Sequence, residues 1–194
     1  VIFVMLSFEM DYDNLLTVLE LGNIKLRAEQ RNEKEPLIII GGPCATFNPE
    51  PLAAVADAFV IGEGEKTVQK ILDTIYTNNT KEEKLLKMAN LPGVYVPKYY
   101  TPIHNEEDEF VAMEHDERVP AKITRQWVKD IDAYPHTSAI VTSGTEFEDM
   151  YIVEVARGCG RHCRFCMAGY CFRKPRPRAL ENILADIAKR PERT

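Results

Sequence analysis

Leu37-Ile-Ile-Ile-Gly-Gly-Pro43 and Ala58-Phe-Val-Ile-Gly-Glu-Gly64 decide the fold. Each is a short run of apolar, largely β-branched residues cut off by glycine, which suits a strand buried on both faces, as in a parallel sheet under helices. Upstream, Val1-Ile-Phe-Val-Met-Leu6 has the same character and predicts a further strand of this kind. Asp11 and Asp13 then offer N-caps to a helix whose Leu15, Leu16, Val18 and Leu19 recur at helical spacing before Gly22 ends it. Pro49 to Ala56 reads as a short helix. Glu65 to Tyr76 reads as a longer one with Val68, Ile71, Leu72 and Ile75 on one face. Strand and helix in alternation predict an α/β protein with a parallel sheet.

In such sheets ligands bind beyond the carboxyl ends of the strands. Gly41, Gly42, Gly62 and Glu63 fall there and are candidate cofactor-binding residues, with turn punctuation as the competing reading. Neither turn is a dinucleotide fingerprint. Lys66-Thr67 is not a phosphate loop either, since Glu65 stands where glycine is required. Further on, Lys81 to Met88 reads as a charged surface helix, and Gly93 to Tyr100 as an exposed strand-pair element punctuated by prolines. Seven acids and no Lys or Arg lie between Glu106 and Glu117, which predicts a solvated hairpin tip or loop with His115 at the surface. Trp127 is expected to be a packing anchor. Residues 97–149 read as an irregular connector.

The chain has 194 residues, 45% hydrophobic and 28% charged, a globular balance that excludes wholesale disorder. Its apolar runs are far shorter than the ~20 residues a membrane-crossing helix needs. A net charge of -6 argues against a general binder of polyanions. Locally the sign reverses: from Arg157 to Arg178 there are seven bases and no acid. Five cysteines, four of them between residues 159 and 171, suit metal or cluster ligation in a reducing, cytoplasmic setting better than a disulfide framework. The chain begins at Val1 within a strand pattern, and the expectation is an excised piece of a longer protein.

Tyr151-Ile-Val-Glu-Val155 alternates like a strand, and Cys159, Cys163 and Cys166 follow in a glycine-bearing loop spaced CxxxCxxC. Such a loop lets three thiolates converge on one inorganic centre, and Arg157, Arg161 and Arg164 offset its anionic charge. Three protein ligands leave a coordination position open, as catalytic centres require. The alternative is a closed zinc site with His162 or Cys171 as fourth ligand, whose aromatic neighbours Phe165, Tyr170 and Phe172 contact RNA in a non-enzymatic module. Cys44 reads as a small buried side chain. Arg173, Lys174, Arg176 and Arg178 are either a solvated basic segment or a face for an anionic substrate. Ala179 to Lys189 predicts a helix with Leu180, Ile183, Leu184 and Ile187 on one face.

The cysteine motif resembles that of radical S-adenosylmethionine (SAM) enzymes. The resemblance implies that Cys159, Cys163 and Cys166 hold a 4Fe-4S cluster, that SAM binds its fourth iron, and that Phe165 lies against the adenine. It implies further that the strand before the motif and the helix after it open a partial β/α barrel. The stretch from Leu37 to Glu65 resembles the later half of a cobalamin-binding, flavodoxin-like domain that precedes the barrel in one subgroup, the uncharacterised Fe-S oxidoreductases. The resemblance covers residues 1–75 and 150–194 and divides the chain into a partial flavodoxin-like domain (1–90), a connector with short strands (91–149) and the start of the barrel (150–194), truncated at both ends. Cobalamin stays open as a cofactor: no Asp-x-His-x-x-Gly motif occurs. The implied parent enzyme, an oxidoreductase or transferase, cleaves SAM reductively to a 5'-deoxyadenosyl radical that acts on an unknown substrate. It takes electrons from a donor such as flavodoxin or ferredoxin. A tRNA or rRNA substrate is open, a membrane partner is not expected, and the fragment alone is expected to be inactive.

Overall fold

The computed structural model describes residues 1–190 other than Thr145, Phe147 and Arg173. Its packing falls into two units, Val1–Trp127 and Val128–Thr194. In the first unit the elements run β1 (Ile2–Met5), α1 (Asp11–Leu21), β2 (Ile38–Gly41), α2 (Pro43–Phe47), β3 (Ala58–Val60), α3 (Glu65–Ile75), α4 (Lys81–Ala89) and β4 (Val94–Tyr95). The sheet has the order β1-β2-β3-β4. Its first three strands are parallel, with Ile2 opposite Ile38 and Ile39 opposite Ala58, and β4 runs antiparallel to β3. The architecture is therefore α/β, with a four-stranded, mainly parallel sheet of the kind found in flavodoxin-like folds and partial barrels.

β2 lies inside the sheet, and its Ile38, Ile39 and Ile40 are buried outright. β1 departs from the expectation of burial on both faces. It pairs on one edge only, so Ile2 and Val4 pack on the core while Phe3 is 41% and Met5 77% exposed. In α1 the two aspartates lie within the first turn, not at the cap, which is Met10 and makes no side-chain bond. There they face the positive end of the helix dipole. Gly42-Pro43 starts a helix, α2, with Pro at the position where its missing N–H costs nothing. The helix expected over Pro49 to Ala56 is a single 3-10 turn, Glu50–Leu52. α4 is amphipathic: Leu85, Met88 and Ala89 are buried under its charged face. The segment expected as an exposed strand pair is core, with Val94, Tyr95, Val96, Tyr99 and Tyr100 all buried.

One buried ionic cluster ties this unit together. Asp57, just before β3, accepts at Oδ2 from Arg31 Nε (3.2 Å), Arg31 Nη2 (2.8 Å) and the backbone N–H of Ile38 (2.8 Å), and at Oδ1 pairs with Lys81 Nζ (3.0 Å). Arg31 spends its remaining donors on the carbonyls of Lys25, Leu26 and Val55. The acidic stretch is a hairpin, as expected. β5 (Tyr100–His104) and β6 (Phe110–His115) pair antiparallel, and the Asn105 side chain accepts from the N–H groups of Glu107 and Glu109 in the turn. His115 is exposed beside the Tyr100 ring. Both short strands lie in the segment read as a connector. Trp127, expected as a packing anchor, is 47% exposed.

The second unit contains β7 (Ala156–Arg157), α5 (Ala168–Cys171), β8 (Arg176–Pro177) and α6 (Leu180–Ala188). β7 and β8 pair antiparallel. The expected strand Tyr151–Val155 contributes one bridge, Val153 to Thr137, and the ladder begins only at Ala156. On α6 the expected apolar face is largely exposed: Leu180, Leu184 and Ile187 are each more than half accessible. Its buried member is Asp186, which pairs with His136 Nε2 and with Lys189 Nζ (2.7 Å). Among the described residues no helix is long and apolar enough to cross a membrane.

Candidate functional site

All three motif cysteines lie on the excursion that leaves β7 after Arg157 and returns at Arg176 in β8. Two backbone bonds pinch its base: Arg178 N–H donates to Val155 O (3.0 Å) and Cys159 N–H to Phe172 O (2.8 Å). Gly158 sits at φ 87° at this crossing, where a Cβ would stand 2.8 Å from the carbonyl oxygens of both Phe172 and Lys174, so no side chain fits. Inside the loop, Cys166 N–H donates to Cys163 O (3.1 Å), and Arg161 N–H points at Cys159 Sγ (3.4 Å). Gly169 in α5 presses against the Arg161 carbonyl, which folds the loop back on itself.

All three thiols are free: Cys163 is exposed, Cys159 and Cys166 half-buried. The loop carries the donors without gathering them, for among the described residues no group of three or more His, Cys, Asp or Glu stands close enough to hold a metal ion. The donor set still has a definite chemistry. The three motif thiols, on a stretch from 157 to 178 that holds no carboxylate, suit an iron–sulfur centre and not a hard, oxygen-seeking cation. Phe165 precedes the last cysteine with 92% of its surface exposed, a ring free to receive a flat partner. Cys171 is half-buried in α5, and exposed His162 meets the Tyr170 ring edge-on at 6.2 Å. Of the basic residues, Arg161, Arg164 and Lys174 are exposed, Arg176 is half-buried, Arg178 is buried and Arg173 lies outside the described residues.

Sequence reasoning passed over Glu154 and treated Arg178 as one base among several. The structure brings the two together at the base of the loop. Glu154 Oε1 accepts from Arg157 Nε (2.6 Å), and Oε2 accepts from Arg178 Nε (3.2 Å) and Nη2. Arg178 also donates from Nη1 to the Ile131 carbonyl. Burial pushes the Glu154 carboxyl up, and the hydrogen bonds from Arg157 and Arg178 outweigh it, leaving it below the usual range. The available signal was its place in the chain: Glu154 is the last acid before the basic block.

The expected cofactor cleft at the carboxyl ends of β2 and β3 is used by the chain itself. A Cβ on Gly42 would lie 2.6 Å from Leu6 O, and one on Gly62 would enter the Gln126 backbone. Glu63 N–H donates to Gln126 O (2.9 Å), and Gln126 N–H to Ile61 O (3.0 Å). Gly41 retains ordinary packing room beside Val60. These contacts account for Gly42 and Gly62 without a ligand. A concavity of about 870 Å³ lies instead toward Asp57 at the amino end of β3, lined by Lys81, Tyr95 and Tyr100 among others.

A family model described as radical SAM proteins, N-terminal, matches residues 1–97, a stretch that does not include the cysteine loop. An uncharacterized protein of Methanocaldococcus jannaschii is 26% identical over 94% of this chain and 33% of its own length. The bacteriochlorophyllide d C-8(2)-methyltransferase of Chlorobaculum tepidum is 26% identical over 84% of this chain and 30% of its own. The chain spans about a third of the length of these curated relatives. No solved structure matches it.

Proposed function

Because the chain belongs to the family of radical SAM proteins, N-terminal, we propose that Cys159, Cys163 and Cys166 ligate a 4Fe-4S cluster in an enzyme that cleaves SAM reductively. One observation carries the proposal: three free thiols share one pinched, acid-free loop. The chemistry such a centre supplies when bound is transfer of one electron to SAM, splitting a sulfonium C–S bond into methionine and a 5'-deoxyadenosyl radical. This chain's own residues hold and orient. The three thiolates fix the centre, and Phe165 offers its exposed ring to the adenine. Exposed Arg161 and Arg164 offset the anionic charge. The full-length protein draws its electrons from a low-potential donor such as flavodoxin or ferredoxin. The methyltransferase relative makes methyl transfer the first reaction to assay beyond SAM cleavage.

The test is anaerobic loading of the full-length protein with iron and sulfide, followed by iron, sulfide and zinc per chain and by 5'-deoxyadenosine formation. Cys159→Ala, Cys163→Ala and Cys166→Ala should each abolish 5'-deoxyadenosine formation and strip most of the iron, because two thiolates do not retain the centre. Cys171→Ala and His162→Ala should keep both iron and cleavage. A colourless protein holding stoichiometric zinc that is lost on changing Cys171 or His162 would overturn the proposal in favour of a closed structural zinc site.

A further inference from the structure

β7 and β8 are two residues each, and so short a ladder does not by itself hold closed a loop as long as the one between them. Beside the two backbone bonds at its base, a single carboxylate shared by the two strands' ends ties it shut. Glu154 precedes the outgoing strand and takes Arg157 at its end with one oxygen. With the other it takes Arg178, just beyond the returning strand. The Arg178 side chain has no exposed surface, and its second bond, to the Ile131 carbonyl, anchors the pair to the preceding segment. Neither residue is positioned as a ligand: the Arg178 guanidinium is buried, and Glu154, 31% exposed, gives both carboxylate oxygens to arginines.

The geometry points to Glu154 and Arg178 as positioning residues for the metal centre: they lock the neck of the cysteine loop, so that three thiols attached at one fixed base converge on the same centre. This inference rests on the cluster reading of the loop. With the neck open, the two halves of the loop diffuse apart, and the local concentration of the third thiolate around the other two falls. The cluster should then form less completely and leave faster, although every ligand is still present. Outer-shell partners that orient ligands commonly contribute about 10- to 100-fold to metal affinity.

The experiment compares full-length wild type with Glu154→Gln and Arg178→Lys. Gln keeps the shape and loses the charge; Lys keeps the charge and loses the fork. After anaerobic loading, iron release to a chelator is timed and the spectrum of the reduced, paramagnetic cluster is recorded with and without SAM. Amide exchange is measured on the metal-free proteins. The expected result is release at least ~10-fold faster in both variants with a broadened cluster spectrum. Exchange should be faster at Cys159 and Arg178 and unchanged in Ile38–Gly41. Wild-type release rates and spectra in both variants would overturn the inference. So would loss of protection extending to Ile38–Gly41, which would make the pair a support of the whole fold. A wild type that binds no iron would instead defeat the cluster reading, so the two failures are distinguishable.

Discussion

A carboxylate taken out of water needs its lone pairs answered, and Asp57 has four donors on two oxygens. Removing its charge leaves the Arg31 guanidinium buried without a counter-ion, the costly way to break such a pair. Asp57→Asn should therefore destabilise the first unit by about 3–5 kcal/mol in chemical denaturation, and Arg31→Met combined with Asp57→Leu should recover only part of that loss, because the buried Ile38 N–H and Lys81 Nζ lose their acceptor as well. Neither residue was singled out from the sequence, because partners 26 positions apart leave no local pattern. The cysteines were legible for the opposite reason. Their spacing is short-range, and Cys159, Cys163 and Cys166 fall on one loop as that spacing implied. Glu154 and Arg178, 24 positions apart, escaped notice just as Arg31 and Asp57 did.

Elements show where local pattern suffices and where neighbours decide. α4 begins at a full capping box: Thr80 Oγ1 accepts from Glu83 N–H, and the Glu83 side chain accepts from Thr80 N–H. Thr80→Ala should cost about 1 kcal/mol of stability, and Thr80→Ser very little, by thermal or chemical melting. This Thr-x-x-Glu signature was available in the sequence and went unused. The three Ile residues of β2 and the apolar run of β1 look alike in one dimension, yet only β2 is enclosed. An apolar run reports affinity for a core without counting the strands beside it, so β1 was misjudged. The same limit applies to Val94–Tyr95, whose pairing with β3 across some 35 residues turned an expected surface segment into core. The prolines around it punctuate the backbone and do not set its depth.

Across the molecule, charge is divided more sharply than the net value of -6 implies. Among the described residues of the second unit, carboxyls lie below their ordinary range at Asp132, chiefly through the Ala179 N–H, at Asp186, chiefly through Lys189, and at Glu154, through its two arginines against the opposing effect of burial. A depressed folded-state value means stability that is fully present above the unfolded carboxyl range, near pH ~4, and is lost as pH falls through the folded values below it. Amide exchange across residues 150–188 should therefore hold steady from neutrality to about pH 5 and, after correction for intrinsic rates, accelerate below about pH 4. Unchanged protection at pH ~2 would show that these contacts contribute little. The pinched base of the cysteine loop has a consequence in time as well. During synthesis, Cys166 leaves the ribosome ahead of Arg178 by about a dozen residues, roughly one second at ordinary elongation rates. For that interval the three thiols are displayed on an unclosed chain, which is when delivery of iron and sulfide, or damage by oxidants, meets the least resistance.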